Sequence, residues 1–303
     1  MRHRQQVIWG LALLCAAASL TSAQRGGGRG GFGGGFGGGF GRGYGGGFDR
    51  ANSPITDLPY NRVGVSGWDI DPAFKKDVFT FVRLRFTSGP YQLPDHTGDG
   101  WRTDWPNADL NFSFRLHQMT AIKVDPIPKQ IEITDDALFD YPFTFMEQVG
   151  RLEFTDEEVK ALRRYLLNGG FLEVGDHWGP YEYENFHQQM KRVFPDLEPA
   201  NLPIEHPIFH CVFDLKSKPQ MPERDIAMRN RYTGVTWERE DAKEPFFRGI
   251  FDDKGRMMVI ICSNTDLSDG WEQEGSDEWY FHEFAEKRAY PMGINIVFYA
   301  MTH

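Results

Sequence analysis

The sequence is poor in cysteine, in positive charge and in long apolar runs, and each shortage removes a class of protein. Of 303 residues only three are cysteine, Cys15, Cys211 and Cys262, too few for a disulfide-stapled scaffold or a cysteine-based zinc site. Lys and Arg number 33 against 43 Asp and Glu, a formal charge of −10. An acidic chain is ill suited to nucleic acid or anionic membrane surfaces, so no nucleic-acid partner is expected. The one candidate for crossing a membrane, Val7 to Leu20, is shorter than the roughly 20 apolar residues that a span needs.

That short run has another reading. Arg2 and Arg4 precede it, and Thr21-Ser22-Ala23 follows as a small-residue cleavage site before Gln24, the three-part pattern of a signal peptide over residues 1–23. Leu14 before Cys15 is too large for a lipoprotein site. The expectation is export, to a periplasmic or extracellular location, with no stable membrane span after cleavage. Loss of Arg2 and Arg4 takes the formal charge from −10 to −12.

Residues 24–48 are a glycine tract punctuated by Phe32, Phe36, Phe40, Tyr44 and Phe48. Such a composition buries no core and reads as a disordered, flexible linker. Residues 49–77, with several prolines, form a lead-in segment, and 78–303 the folded domain.

The domain is organised around FTDEEVKALRRYLLNGGFLEVGDHWG, Phe154 to Gly179. Thr155 and Glu158 form a capping-box pair. Val159, Leu162 and Leu166 repeat along one helix face, and Asn168-Gly169-Gly170 ends the helix. Phe171 to Val174 follows as a strand that delivers Gly175-Asp176-His177-Trp178 at its C-terminal end, where open α/β sheets bind ligands.

Further strands are expected at Val78–Phe86, around Phe143–Met146, at Ile208–Leu215, Phe247–Phe251 and Arg256–Cys262. Helices are expected behind Asp104-Trp105-Pro106, over Asn185–Val193 and from Pro291 onward. The acidic, aromatic segment from Asp269 to Arg288 shows no clear period, and within it Trp271 to Phe284 reads as a surface flap over the sheet edge. Alternating strands and helices imply an α/β fold with a mostly parallel central sheet. Cys211 and Cys262 lie in apolar, strand-like runs and read as buried thiols, with a disulfide between them left open.

Asp104-Trp105-Pro106, Tyr141-Pro142, LRRYLLNGGFLEVGDHWG, His206-Pro207-Ile208-Phe209 and Met292-Gly293-Ile294-Asn295 together resemble the bacterial domain of unknown function 4159 family, over roughly Val78 to His303. The resemblance implies a flavodoxin-like three-layer sandwich, similar to class I glutamine amidotransferase-like domains. It implies company with MoxR-type ATPases and von Willebrand A-domain proteins, and brings no activity with it. Amidotransferases place a nucleophilic cysteine on a strand-to-helix elbow beside a histidine. Gly175-Asp176-His177-Trp178 has no cysteine or serine there, so glutamine hydrolysis by the standard cysteine route is not expected.

The candidate ligand-binding residues are Asp104, Trp105, Asp176, His177, Trp178, Asn264 and Asp266, all expected at the C-terminal edge of the sheet. Asp176, His177 and Asp104 are also the catalytic candidates, His177 as a general base. Each has a plainer reading: Asp104 as a helix N-cap, Asp176 as a turn acceptor, Trp178 as a packed loop aromatic, Asn264 and Asp266 as a turn after a buried strand. His206 and His210 share a face at a spacing of four, a bare metal pair without a third ligand. No cofactor is expected. The leading reading is an amidotransferase-like domain without the catalytic cysteine that binds a cell-envelope protein partner or a small polar ligand. The rival is a hydrolase of a carbohydrate-type substrate acting through Asp176, His177 and Asp104.

Overall fold

A computed structural model describes residues 65–74, 77–88 and 100–303. The expected signal peptide, the glycine-rich segment and most of the lead-in lie outside the described residues. Of the lead-in, Trp68 donates from its indole to Val124 O at 2.8 Å and stacks on His117 with ring centres 4.5 Å apart.

Seven strands form one sheet: β1 Val82–Arg85, β2 Lys129–Glu132, β3 Phe143–Met146, β4 Phe171–Val174, β5 Ala200–Asn201, β6 Phe246–Phe251 and β7 Met257–Ser263, in the order β2-β1-β3-β4-β7-β6-β5. The first five strands of that order run parallel, and β6 and β5 add antiparallel. Because β1 pairs with β2 on one side and β3 on the other, the side to which successive parallel strands are added reverses between β1 and β3. This is the topological switch point, where α/β sheets open a crevice beyond the strand C-termini.

Helices cover both faces. On one lie α1 (Asn107–Met119), α5 (Leu267–Glu272) and α7 (Tyr290–Thr302), whose Phe112, Trp271 and Ile294 pack on Phe81, Phe145 and Ile260. On the other lie α2 (Asp156–Leu167) and α3 (Gly179–Val193), whose Leu162, Leu166, Phe186 and Met190 pack on Leu84, Leu172 and Ile261. The chain is thus an α/β protein with a mostly parallel sheet between helical layers. All residues of β7 are buried, as its continuous apolar run requires of a strand covered on both faces. Each large apolar side chain so buried contributes roughly 1.5–3 kcal/mol.

The organising stretch folds as its residues dictate. Thr155 Oγ1 accepts from Glu158 N at 3.1 Å and Glu158 Oε2 from Thr155 N at 2.7 Å, closing the capping box. Gly169 takes φ +105° past the end of α2, a backbone that L side chains resist. Gly170 lies so close to the Tyr165 ring that an added Cβ would meet it at 2.4 Å.

Several local expectations are corrected. Ile208–Leu215 is not a strand: His206 caps a short 3-10 turn, Pro207–Phe209, through Nδ1 and Ile208 N at 3.2 Å, and an X-Pro step with a side-chain cap outweighs the apolar run. Cys211 is therefore off the sheet and half-buried, Cys262 is buried on β7, and both are free thiols. Helix α3 begins at Gly179, six residues before Asn185, and the short helix α4 (Arg224–Arg229) comes after it in the chain. Trp271 to Phe284 is no flap. It spans the end of α5, then α6 (Glu278–Tyr280), which continues through a π-helical stretch, Phe281–Ala289, into α7. Trp271 and Tyr280 are wholly buried within it. Among the described residues no helix is long and apolar enough to cross a membrane.

Candidate functional site

Arg83 starts the site. It lies on β1 beside the switch point with no exposed surface, and a buried guanidinium must find acceptors for its donors. Asp109 on α1 takes Nε at 3.1 Å and Nη2 at 2.6 Å, a two-point pair. Nη1 reaches Thr103 O at 2.6 Å, Trp101 O at 3.0 Å and the carboxylate of Glu147, the residue directly after β3. The ring of Trp105 lies 5.8 Å and that of Phe145 5.2 Å from the guanidinium carbon. Burial works against the charge, but Asp109 and Glu147 hold Arg83 protonated above its ordinary pKa. One side chain thus ties the loop after β1, helix α1 and the end of β3 together.

Around this cation the edge is acidic. The strand ends and loops carry Asp104, Glu147, Asp176 and Asp266, α5 adds Asp269 and Glu272, and Glu238 adjoins. Burial first, and then the neighbouring carboxylates, push Asp104, Asp176, Asp266 and Asp269 well above the usual carboxylate range. Burial also raises Glu147 to about 7 against the pull of Arg83, and Glu238 to about 7. Mutual repulsion at this density favours a proton or a bound cation on the cluster.

The backbone at this edge is strained in the same places. Asp104, Gln148, Asp176 and Asn264 have φ of +60°, +54°, +42° and +57°. They are the only non-glycine residues with positive φ among the described residues. They follow β1, β3, β4 and β7. Such left-handed residues each cost on the order of 1–3 kcal/mol and gather where a site needs a fixed geometry. Gln148 and Asp176 brace each other: Gln148 N donates to Asp176 O at 3.1 Å, and its side-chain amide donates to the Asp176 carboxylate.

Asp104, Asp176 and Asp266 share one electrostatic cluster, as their sequence positions suggest. Asp104 is not the N-cap of α1, since Pro106 occupies that position without a side-chain bond. Asp104 Oδ2 is shielded from solvent and has no hydrogen-bond partner. Asp176 accepts from Gln148 and, at 3.2 Å, from Trp178 Nε1 rather than from backbone amides. Asp266 caps α5, taking Asp269 N and Ser268 Oγ, each at 2.8 Å.

The other candidates face inward. Trp105 and Trp178 are buried. Asn264 bridges two chain segments, accepting from Gly179 N at 2.9 Å and donating to Glu244 O at 2.7 Å. His177 is wholly buried and Nε2 lies 2.7 Å from Ser263 Oγ; burial lowers its pKa to about 4, so it stays neutral inside the protein. His206 caps the 3-10 turn, and His210 has Asp214 Oδ1 at 2.7 Å and Ile204 O at 2.6 Å on its two nitrogens. Neither histidine belongs to a three-residue metal-ligand group among the described residues. The group that does form joins Asp104, Asp269 and Glu272, with ligand atoms within 4.8 Å of one another.

Residues 80–301 match the model of a family described as a domain of unknown function, DUF4159. The chain belongs to that family. Among curated proteins there is no match. In this DUF4159 domain the residues that sequence reasoning left out of the site are Arg83, Asp109, Glu147, Gln148, Asp269 and Glu272. An arginine inside the apolar strand FTFVRLRF and a glutamate closing the run FTFME were the available signals, since charge within a strand buried on both faces needs a partner.

Proposed function

We propose that this domain is a binding module that takes a small polar ligand, or a polar group of a cell-envelope protein partner, at the acidic C-terminal edge of its sheet. One observation carries the reading: the switch-point edge brings carboxylates of raised proton affinity together with four left-handed backbone positions, and two of them, Asp104 and Asp176, are both at once. A binding function accounts for strain and repulsion that a purely structural edge has no reason to keep. The excess of carboxylate over the single paired Arg83 favours a ligand that brings positive charge or hydrogen-bond donors.

The order β2-β1-β3-β4-β7 supports a flavodoxin-like, amidotransferase-like description of the fold. The strand end that corresponds to the nucleophile elbow of such enzymes carries Gly175-Asp176-His177-Trp178, with neither a thiol nor a hydroxyl. Cys262 lies buried within β7, its thiol pushed well up by burial, which supports the absence of the cysteine route. The Arg2/Arg4 and Val7–Leu20 pattern supports export.

The rival hydrolase reading draws on the raised carboxyl pKa values, since a protonated acid beside an ionised one serves glycoside cleavage. It would use Asp176 with Asp104, because buried His177 has no access to the edge. A binding and turnover screen of small polar ligands and glycosides, comparing the full-length protein with Asp176→Asn, tests both. Binding without turnover that weakens at least tenfold in the variant supports the module. Turnover lost in the variant supports the hydrolase. Ligands bound equally by both proteins sink the edge as a site.

A further inference from the structure

The three side chains that meet at Asp104 come from two distant parts of the chain. Asp104 sits in the loop after β1, its carbonyl holding Ala108 N at 3.0 Å. Asp269 and Glu272 are three residues apart on α5 and so share a face. Their ligand atoms lie within 4.8 Å of one another, inside the separation that two oxygens can have on one calcium-sized ion, roughly 4.6–5.2 Å at opposite vertices. Asp269 is held for this: its Oδ2 accepts from Arg224 N at 2.6 Å and from the Tyr280 hydroxyl at 3.1 Å, outer bonds of the sort that orient a metal-binding carboxylate. Asp104 and Glu272 are half-buried, which leaves an entry path.

A cluster of acids does not by itself make a cation site, and a second observation points the same way. Glu147 has no exposed surface, and Arg83 takes only Oε1, leaving Oε2 without a partner. Glu147 is bracketed by the two halves of the cluster. It shares Arg83 Nη1 with Thr103 O, next to Asp104, and it lies beside Ser268, next to Asp269. The Ser268 hydroxyl gives its single hydrogen to Asp266 at 2.8 Å. A shielded carboxylate oxygen of Glu147 is thus without a hydrogen-bond partner close enough to Asp104 for its charge to act there, and Asp104 Oδ2, within the group itself, is shielded and unpartnered as well.

We infer that Asp104, Asp269 and Glu272 bind one hard divalent cation of the calcium or magnesium class, with Glu147 supplying negative charge from behind. All donors are carboxylate oxygens, which suit such ions and not the soft metals that thiolates select. The inference rests on the reading of this edge as a ligand site and names what that site holds first.

Calorimetric titration of the EDTA-treated full-length protein at neutral pH, with calcium, magnesium and manganese chloride each alone, tests it. The expected result is saturable binding of one ion per chain. Glu272→Gln, at a half-buried position, and Asp104→Asn should each weaken it at least tenfold, and the remote surface variant Asp253→Asn should leave it unchanged. No saturable binding of any of the three ions, or equal binding by wild type, Glu272→Gln and Asp104→Asn, overturns the site. Failure of this inference and of the wider reading are separable. Absent cation binding with a screened ligand still lost in Asp176→Asn removes only the cation, whereas cation binding with an empty ligand screen supports the cation site alone.

Discussion

Arg83 is the residue on which the edge depends. Removing it leaves Asp109 and Glu147 buried without their cation, and breaking a buried pair in this way typically costs about 3–5 kcal/mol. Urea unfolding of Arg83→Ala should show a loss of this size; a loss below about 1 kcal/mol would mean the carboxylates relax to water. Glu173 is the opposite case. It is buried on β4, and neither carboxylate oxygen has a partner. The one-residue alternation of the strand puts it on the α1/α7 face beside Phe145 and Ile260. No ligand chemistry explains it, and burial pushes its pKa to about 8. In the sequence, Glu173 was legible only as a break in an apolar run. Arg83, Asp109 and Glu147 were illegible as a unit because their contacts cross 26 and 64 residues, distances over which no local pattern operates.

Among the elements, α7 approaches two of its neighbours closely. A Cβ added at Gly293 would fall 2.6 Å from both the Phe112 and Trp271 rings, so α7 meets α1 and α5 through a glycine. Gly293→Ala is expected to destabilise by about 1–3 kcal/mol through overpacking, although alanine is the better helix former. Thermal unfolding checks this, and an unchanged or higher melting temperature would show that the three helices can separate at no cost. Thr155→Ala should lose about 1 kcal/mol with the capping box. The contrast between these elements shows what local sequence can reveal. The α2–β4 unit was readable because its cap, its period and its glycine stop lie within twenty residues. The stretch Phe281–Ala289 was not, because a π-helical turn shifts the register away from the 3.6-residue period. At Ile208–Leu215 the apolar run suggested a strand, but His206 and Pro207 imposed a 3-10 turn.

At the scale of the whole molecule, buried acids set the response to pH. In the unfolded chain Glu173 loses its proton near its ordinary value of 4.5, whereas in the fold it keeps the proton to about pH 8. Between these values the folded state binds more protons, so stability falls as pH rises, by up to about 1.4 kcal/mol per pH unit for this one group. Glu147 and Glu238, raised to about 7, act in the same direction. His177, lowered to about 4, opposes them only below its ordinary value of 6.5, where the unfolded state takes up the proton first. Denaturant unfolding at pH 6.5 and pH 8 should therefore show the wild type weaker at pH 8, with a smaller difference in Glu173→Gln. An equal difference in the two proteins would mean that Glu173 ionises inside the fold without penalty. The acids of the edge, Glu147 and Glu238 among them and Glu173 not, make it a site that is maintained against stability, and this is the claim on which the account turns. Asp104 combines a left-handed backbone, an unpartnered buried oxygen and surrounding carboxylates. Asparagine tolerates that backbone and removes the charge. The most direct measurement is unfolding of Asp104→Asn against wild type in EDTA at neutral pH. A functional edge predicts a variant more stable by about 0.5–2 kcal/mol, and a variant less stable than wild type would show Asp104 to be a structural residue and contradict the account.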